Sequence, residues 1–412
     1  MSADLILGYK QTEIGIIPED WGIAQIKEVC TLINGRGFKP HEWQSNGLPI
    51  IRIQNLNGSN EFNYFSGKFD SKILVKYNQL LFAWSGSRGT SFGPHVWKGN
   101  DALLNYHTWK IEIKQSRIDS DYFFYALRDL TSHIEGDAHG ASALVHTQKS
   151  EMEKYFIRVP PLESQRNISK ALKDIDALID GLDKIITKKR DIQQATMQQL
   201  LTGRRRLPGF NGEWEVKRLD EIGIFLKGSG VTRDQASSGV LPCVRYGEIY
   251  TAHKYILRVF QSFISKEVAA NAASLKMGDI LFAGSGETKA EIGRCVAYVD
   301  NFEAYAGGDI VILRPINSDS TYLGYALNTQ EICRQKASKG QGDAVVHISA
   351  NALSTVEIKL PPKGEQTAIA NILSDMDNEL ATLENRLAKA CYMKQGMMQE
   401  LLTGRIRLSY GN

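Results

Sequence analysis

Proline and cysteine are scarce in this 412-residue chain, at 11 and five residues. The cysteines (Cys30, Cys243, Cys295, Cys333 and Cys391) are odd in number, widely separated and form no C-x-x-C pair. That pattern argues against a zinc ribbon or a disulfide framework and predicts reduced, packed thiols in a cytoplasmic protein. The eight histidines form no H-x-x-x-H or mixed Cys/His spacing, so no metal site is expected. No apolar run approaches the roughly 18 residues that a membrane span needs. Met1–Asp4 has neither the basic nor the apolar region of a secretion signal.

Excess charge is missing too. The formal net charge is +3 and the pI is near 8.4. A strongly basic chain would point to nucleic acid at once; here any DNA-binding surface must come from where charge is placed. The 42% hydrophobic and 23% charged residues describe an ordinary folded protein, long enough for two or three domains. There is no G-x-x-x-x-G-K-[ST] loop for ATP. The N/D-P-P-Y/F motif with which amino-methyltransferases hold a flipped base is absent, and the two Pro-Pro pairs, 160–161 and 361–362, fall at the ends of strand-like regions.

What the chain does have is an internal repeat. LLTGR occurs at Leu200–Arg204 and again at Leu401–Arg405, 201 positions on. The same offset carries Pro160-Pro161 onto Pro361-Pro362, Gln165 onto Gln366, and Leu144-Val145-His146 onto Val345-Val346-His347. Leu81-Phe82-Ala83-Trp84-Ser85-Gly86 matches Leu281-Phe282-Ala283-Gly284-Ser285-Gly286 at 200, and Trp21 matches Trp214 at 193. Loops differ in length while the frame persists, as duplication would leave them.

Each half has two parts. The first is rich in Gly, Asn and Ser and carries short strand-like runs, such as Leu48–Ile53, Lys110–Ile113, Ile280–Ala283 and Ile310–Leu313. The second reads as one helix of about forty residues. Ile168, Leu172, Ile175, Ile179, Leu182 and Ile186 alternate four-three spacing, and Ile369, Leu373, Met376, Leu380, Leu383 and Leu387 repeat it in the same register. Such a narrow stripe wants a partner helix, and the other copy is the available one; packing on the helix's own globular domain is the alternative. Forty helical residues span on the order of 60 Å. The expected fold is therefore α+β. Two β-rich α/β domains alternate with two long antiparallel helices forming a coiled coil, under a pseudo-twofold internal repeat. The boundaries are 1–160, 161–206, 207–360 and 361–412.

With these residues in view, the chain resembles the specificity subunits of Type I restriction-modification enzymes over nearly its whole length. The resemblance rests on V/L-P-P followed by a Gln-containing helix start, and on the helix ends QQLLTGRRRLPGFNGEW (Gln198–Trp214) and QELLTGRIRL (Gln399–Leu408). It implies two target-recognition domains, each reading half of a split site in double-stranded DNA, with the helices setting the gap. It also implies two methyltransferase subunits as partners, with restriction subunits joining them. S-adenosylmethionine, ATP and magnesium would belong to those partners, leaving this chain without a cofactor, a catalytic residue or a membrane contact.

Arg can bridge guanine, Asn or Gln can bridge adenine, and Ser, Lys and backbone amides hold phosphates. On that chemistry the first domain offers Arg36, Lys39, Arg52, Gln54, Asn55, Ser85, Ser87 and Arg88. The second offers Lys227, Ser229, Arg233, Arg245, Tyr246, Ser285, Glu287, Lys289 and Arg294. His146 and His347 are repeat-equivalent, which fits a shared structural role as well as base reading. Arg204, Arg205 and Arg206 could hold phosphate or complete a helix end. Two other functions stay open: a self-sufficient DNA adenine methyltransferase using Phe282-Ala283-Gly284-Ser285-Gly286, which fits F-x-G-x-G, and a coiled-coil interaction scaffold. Trp84 at the first glycine position of the matching loop counts against the former.

Overall fold

The computed structural model describes residues 7–114, 116–137, 144–342 and 345–408; Met1–Asp4, which gave no secretion signal, lie outside them. The chain divides into two compact units, Met1–Leu182 with Arg386–Asn412, and Asp183–Asn385. Each unit therefore takes half of each long helix together with one β-rich part, rather than setting the helices apart as segments of their own.

In the first unit, Gly93–Val96, Leu80–Ala83, Thr108–Ile113 and Cys30–Asn34 form an antiparallel sheet in that order. A second sheet runs Asn63–Phe65, Leu48–Ile51, Ala102–Leu104, Leu74–Val75, with Ile50 and Ile51 parallel to Leu103 and Leu104. Leu80–Ala83 is buried throughout because it lies between two cores. Leu80 and Phe82 join Trp109, Tyr122 and Phe123, whereas Leu81 joins Ile50, Trp97 and Leu103. Alternating side-chain direction lets one strand serve both.

The second unit repeats this plan. Gly223–Lys227, Ile310–Pro315, Ile280–Ala283, Cys295–Tyr298 and Ile256–Leu257 form one sheet. Ser262–Ile264, Leu241–Val244, Tyr305–Ala306 and Ala273–Ser274 form the other, again with its parallel pair in the middle. Ile280 and Phe282 face one core, and Leu281 and Ala283 the other. Where the first unit has one helix, Ser120–Asp137, the second has two, Ser320–Ala326 and Gln330–Lys339. Asn328 makes the break: its amide donates to the carbonyls of Gly324 and Cys295, both at 2.8 Å.

The sequence run Leu48–Ile53 is shorter as a strand than it reads. It stops at Ile51, because Ile53–Leu56 turns helical behind Arg52, whose N–H is held by Asn55 Oδ1 at 3.0 Å.

The two long helices, α1 (Leu162–Leu200) and α2 (Lys363–Leu401), are 39 residues each. Their starts explain the Pro-Pro…Gln motif. Gln165 is fully buried; it donates to the Pro160 carbonyl at 2.8 Å and accepts the Asp119 N–H at 2.7 Å. Gln366 repeats both bonds with Pro361 (2.9 Å) and Asp319 (3.0 Å). Their ends explain LLTGR. The two leucines are buried, the threonine caps a carbonyl one turn back, and the glycine adopts positive φ, +69° at Gly203 and +75° at Gly404. Such a glycine closes a helix at no steric cost. Arg206 then forks onto Glu365 with both contacts at 2.6 Å, and Arg407 onto Asp20 at 2.7 and 2.6 Å. Arg206 completes the helix end with its fork filled by a carboxylate, while Arg204 and Arg205 are exposed.

Within each unit the two helix halves run antiparallel. In the second, Lys189 bonds Glu379 at 2.7 Å and Gln193 bonds Asp377 at 2.6 Å. Of the stripe residues, Ile168, Leu172, Ile175, Leu182, Ile186, Ile369, Leu373 and Leu380 are buried. Ile179, Met376, Leu383 and Leu387 are half-buried. The opening turns do not face a helix alone, contrary to a pure two-helix seam. Ile168 and Leu172 sit in the domain core with Tyr122, Leu401 and Leu402, and Ile369 and Leu373 sit with Tyr322, Leu200 and Leu201. Both packing alternatives are realised, at different levels of one helix. No helix among the described residues is long and apolar enough to cross a membrane.

Candidate nucleic-acid interface

The candidate contacts of the first domain gather on three turns. Arg36 stands on the turn after Cys30–Asn34, where its N–H bonds the Leu104 carbonyl at 2.9 Å. Its guanidinium pairs with Glu42 and lies 4.8 Å from the Phe38 ring and 4.9 Å from that of Phe65. Arg52 caps Ile53–Leu56, donates to Asn63 at 2.7 Å and lies 5.2 Å from the Trp43 ring. Lys39, Gln54, Ser87 and Arg88 are exposed, and Ser85 is half-buried on the ribbon that pairs it with His146.

In the second domain, Arg245 takes the place of Arg52: both follow the central strand and cap a short helix. Arg245 lies 3.9 Å from Glu248, while Tyr246, Lys227, Ser229, Arg233, Glu287 and Lys289 are exposed. Glu248 is buried, and burial raises its carboxyl above the ordinary range; its Oε2 has no hydrogen-bond partner among the described residues.

Three expected contacts require correction. Asn55 is buried, and its amide donates to the carbonyls of Ser59 (3.1 Å) and Glu61 (2.8 Å), so it holds the turn rather than a base. Ser285 is buried with its hydroxyl 2.8 Å from His347 Nδ1 in a shared hydrogen bond. Arg294 reaches the carbonyls of Tyr250 (3.4 Å) and His253 (3.3 Å) and so braces the domain interior.

The glycines of the Phe282–Gly286 loop answer to the protein's own atoms. A Cβ at Gly284 would stand 2.8 Å from the Asp309 carbonyl oxygen, and one at Gly286 2.6 Å from the Tyr250 hydroxyl. The string Gly89-Thr90-Ser91-Phe92-Gly93 also spells the G-x-S-x-G of a nucleophile elbow. Ser91 is buried, however, and its hydroxyl accepts the Ser87 N–H at 2.7 Å in a turn between strands. It has neither the exposure nor the strand-to-helix setting of that motif. Burial pushes the thiols of Cys30 and Cys243 up to about 12, which keeps them protonated packing groups.

One group was not visible as a candidate in the sequence. Trp84, His107 and Tyr106 cluster in the first domain with their rings tilted against one another, with ring centroids 5.3 Å apart between Trp84 and His107 and 3.8 Å between His107 and Tyr106. Trp84 lies between the strands Leu80–Ala83 and Ser85–Ser87, and Tyr106 and His107 on the turn before Thr108–Ile113, so only the fold brings them together.

The sequence profile described as Type I restriction modification DNA specificity domain matches this chain twice, at residues 18–189 and 211–390. Each match takes in one β-rich part and most of the helix that follows it. The chain belongs to this Type I specificity family. Among similar specificity subunits, that of type I restriction enzyme MjaVIII from Methanocaldococcus jannaschii is 24% identical, over 95% of this chain and 94% of its own length. A putative MjaX specificity subunit from the same organism is 25% identical over 97% of each. Among solved structures, a Type-I restriction-modification S subunit from M. genitalium shares the fold at a TM-score of 0.61 and 14% identity, covering 95% and 97% of the two chains. This specificity-family chain thus carries the domain frame twice, once in each match.

Proposed function

We propose that this chain reads the DNA target for a Type I restriction-modification enzyme without catalysing a reaction itself. Each β-rich domain takes one half-site of a split double-stranded sequence, and the paired helices set the gap between them. The chain docks two methyltransferase subunits, which restriction subunits join, and it works in the cytoplasm. Methyl transfer and cleavage, with S-adenosylmethionine, ATP and magnesium, fall to those partners.

The observation that carries this reading is the pair of structurally equivalent arginine turns, at Arg52 and Arg245, on domains that otherwise differ in their loops. Equivalent frames with unlike side chains suit an asymmetric bipartite target. The exposed cations of the same domains, Lys39 and Arg88 in one and Lys227, Arg233 and Lys289 in the other, suit phosphates. Neither repeat-equivalent loop at 82–86 or 282–286 supplies the open glycine cradle that a methyl donor would need.

The test is to express the chain with a cognate methyltransferase subunit and map methylated sites genome-wide. A single split sequence that depends on this chain is the expected result. Methyl transfer by the purified chain alone, abolished by Gly284→Asp, would refute the adaptor reading.

A further inference from the structure

The two domains share a backbone at the Trp84–Tyr106 edge but not the aromatic side chains on it. Trp84 N–H bonds the His107 carbonyl at 3.2 Å, as Gly284 N–H bonds that of Asp309 at 2.7 Å. Asn105 N–H bonds Ile51 at 3.2 Å, as Gly307 N–H bonds Val244 at 2.9 Å. Trp84, Tyr106 and His107 therefore stand where the second domain has Gly284, Gly308 and Asp309.

In the first domain these residues end a column of rings that rises from the core. Phe82 and Trp109, both buried, stack at 5.8 Å; Trp109 stacks on Trp84 at 6.1 Å, and His107 and Tyr106 follow. Tyr106, at the tip, is 47% exposed. Its turn is tied on both sides: Tyr106 N–H donates to Asn105 Oδ1 and Trp84 Nε1 donates to the Tyr106 carbonyl, both at 2.9 Å. Burial lowers the His107 imidazole, so this layer of the column stays uncharged at neutral pH. Beside the ring lies the Arg36–Lys39 turn; a Cβ on Gly37 would touch Tyr106 at 3.9 Å.

We propose that Tyr106 is an aromatic wedge that the first domain alone inserts between two stacked bases of its half-site. This rests on the reading of the chain as a DNA-binding subunit and goes beyond it by assigning unlike modes of recognition to the two domains. Aromatic rings accept any base face, and wedges between base steps unstack and kink the duplex. A ring fixed by its neighbours loses little freedom on insertion, and the core beneath it resists being pushed back. Flexible pyrimidine–purine steps yield most readily to such a wedge, so the first half-site gains selectivity at a step that no hydrogen bond reads. The second domain, bare at Gly284 and Gly308, must read its half-site without unstacking there.

The experiment uses the full chain with its methyltransferase partner and a duplex carrying the mapped target. Fluorescent analogues, 2-aminopurine for adenine and pyrrolocytosine for cytosine, replace bases one at a time outside the methylated positions. Fluorescence should rise at one step of the first half-site for wild type and Tyr106→Phe, and at no step of the second. Tyr106→Ala should abolish the rise and weaken binding about tenfold, with an unchanged melting temperature because the ring is half exposed. A rise that persists in Tyr106→Ala, or binding within twofold of wild type, overturns the wedge. Loss of methyltransferase association in Tyr106→Ala also overturns it, marking a protein contact instead. Wild-type chain that selects no DNA sequence sinks the parent reading, and the wedge with it.

Discussion

The side-chain oxygen of Gln165 accepts the Asp119 N–H at 2.7 Å, and this bond ties the start of α1 to the start of the helix that packs beneath the first domain. The same carboxamide donates to Pro160 at 2.8 Å and to Arg117 at 3.2 Å. All three partners are backbone groups, and the side chain is fully buried. Gln165→Leu keeps the size and removes every bond, leaving one donor and two acceptors to be satisfied elsewhere. A buried polar group left unmade costs about 1–3 kcal/mol, so we expect a loss of at least that order. Urea denaturation monitored by near-UV circular dichroism measures it, and a change below about 0.5 kcal/mol would show that water replaces the amide.

Glu248 and His253 give the second unit two opposing responses to pH. Burial raises the Glu248 carboxyl, so the folded unit binds a proton that the unfolded chain releases, and this contribution stabilises as pH falls toward about 4.5. Burial lowers His253, whose imidazole Nε2 is unpartnered among the described residues, so its contribution is full above about 6.5 and is lost as pH falls below that. Glu248→Gln should remove the first response and raise stability at neutral pH while leaving the second. Thermal melts between pH 5 and 8 report both. An unchanged profile in the variant would mean that Glu248 is solvated as a carboxylate.

Much of this architecture was legible in the sequence because repeats and periodicity record backbone geometry. The 201-residue offset located both long helices, and Pro161, Pro362, Gly203 and Gly404 marked their ends within a few residues. The reasons behind the motifs were not legible. Gln165 works through Asp119, and Arg206 through Glu365, partners 46 and 159 residues away that no local pattern reveals. The candidate interface fared unevenly for the same cause. Loop membership identified exposed cations such as Lys39 and Lys227, but burial of Asn55 and Ser285 depends on what packs over them. Tyr106 escaped notice because a lone tyrosine in a loop carries no signal until Trp84 and His107 stand behind it.

Arg52 and Arg245 should divide the target between them. If each guanidinium leaves its intramolecular partner to bridge a guanine, Arg52→Ala costs roughly 1–3 kcal/mol at one base pair of one half-site, and Arg245→Ala the same at the other. Competition binding against single-base variants of the mapped target distinguishes the two. A loss spread evenly over all sequences would instead mark a phosphate contact.

The last prediction concerns the gap. On the proposed reading the paired helices set the number of unspecified base pairs, so lengthening both by the same amount should lengthen the gap. The place to insert is dictated by what the helix ends do. Beyond Thr202, four extra residues would part the buried Leu200 and Leu201, which pack in one core with Ile358 and Leu360, from the Gly203 turn that closes the helix there. Such a variant should lose stability, whatever its effect on spacing. Four residues after Leu182 in α1, matched by four after Asn385 in α2, leave both ends intact and keep the antiparallel partners level. Each insert adds about 6 Å of rise and about 40° beyond a full turn. One more base pair adds about 3.4 Å and a similar rotation on a duplex of about 10.5 base pairs per turn. Rise alone would allow one or two base pairs, and rotation selects one. Both half-site sequences should survive unchanged, since no reading loop is touched. Genome-wide methylation mapping of wild type and double-insertion variant, each with the methyltransferase subunit, reads the outcome directly. An active variant that keeps the wild-type gap would show that the helices do not measure DNA and serve only to dock the partner subunits.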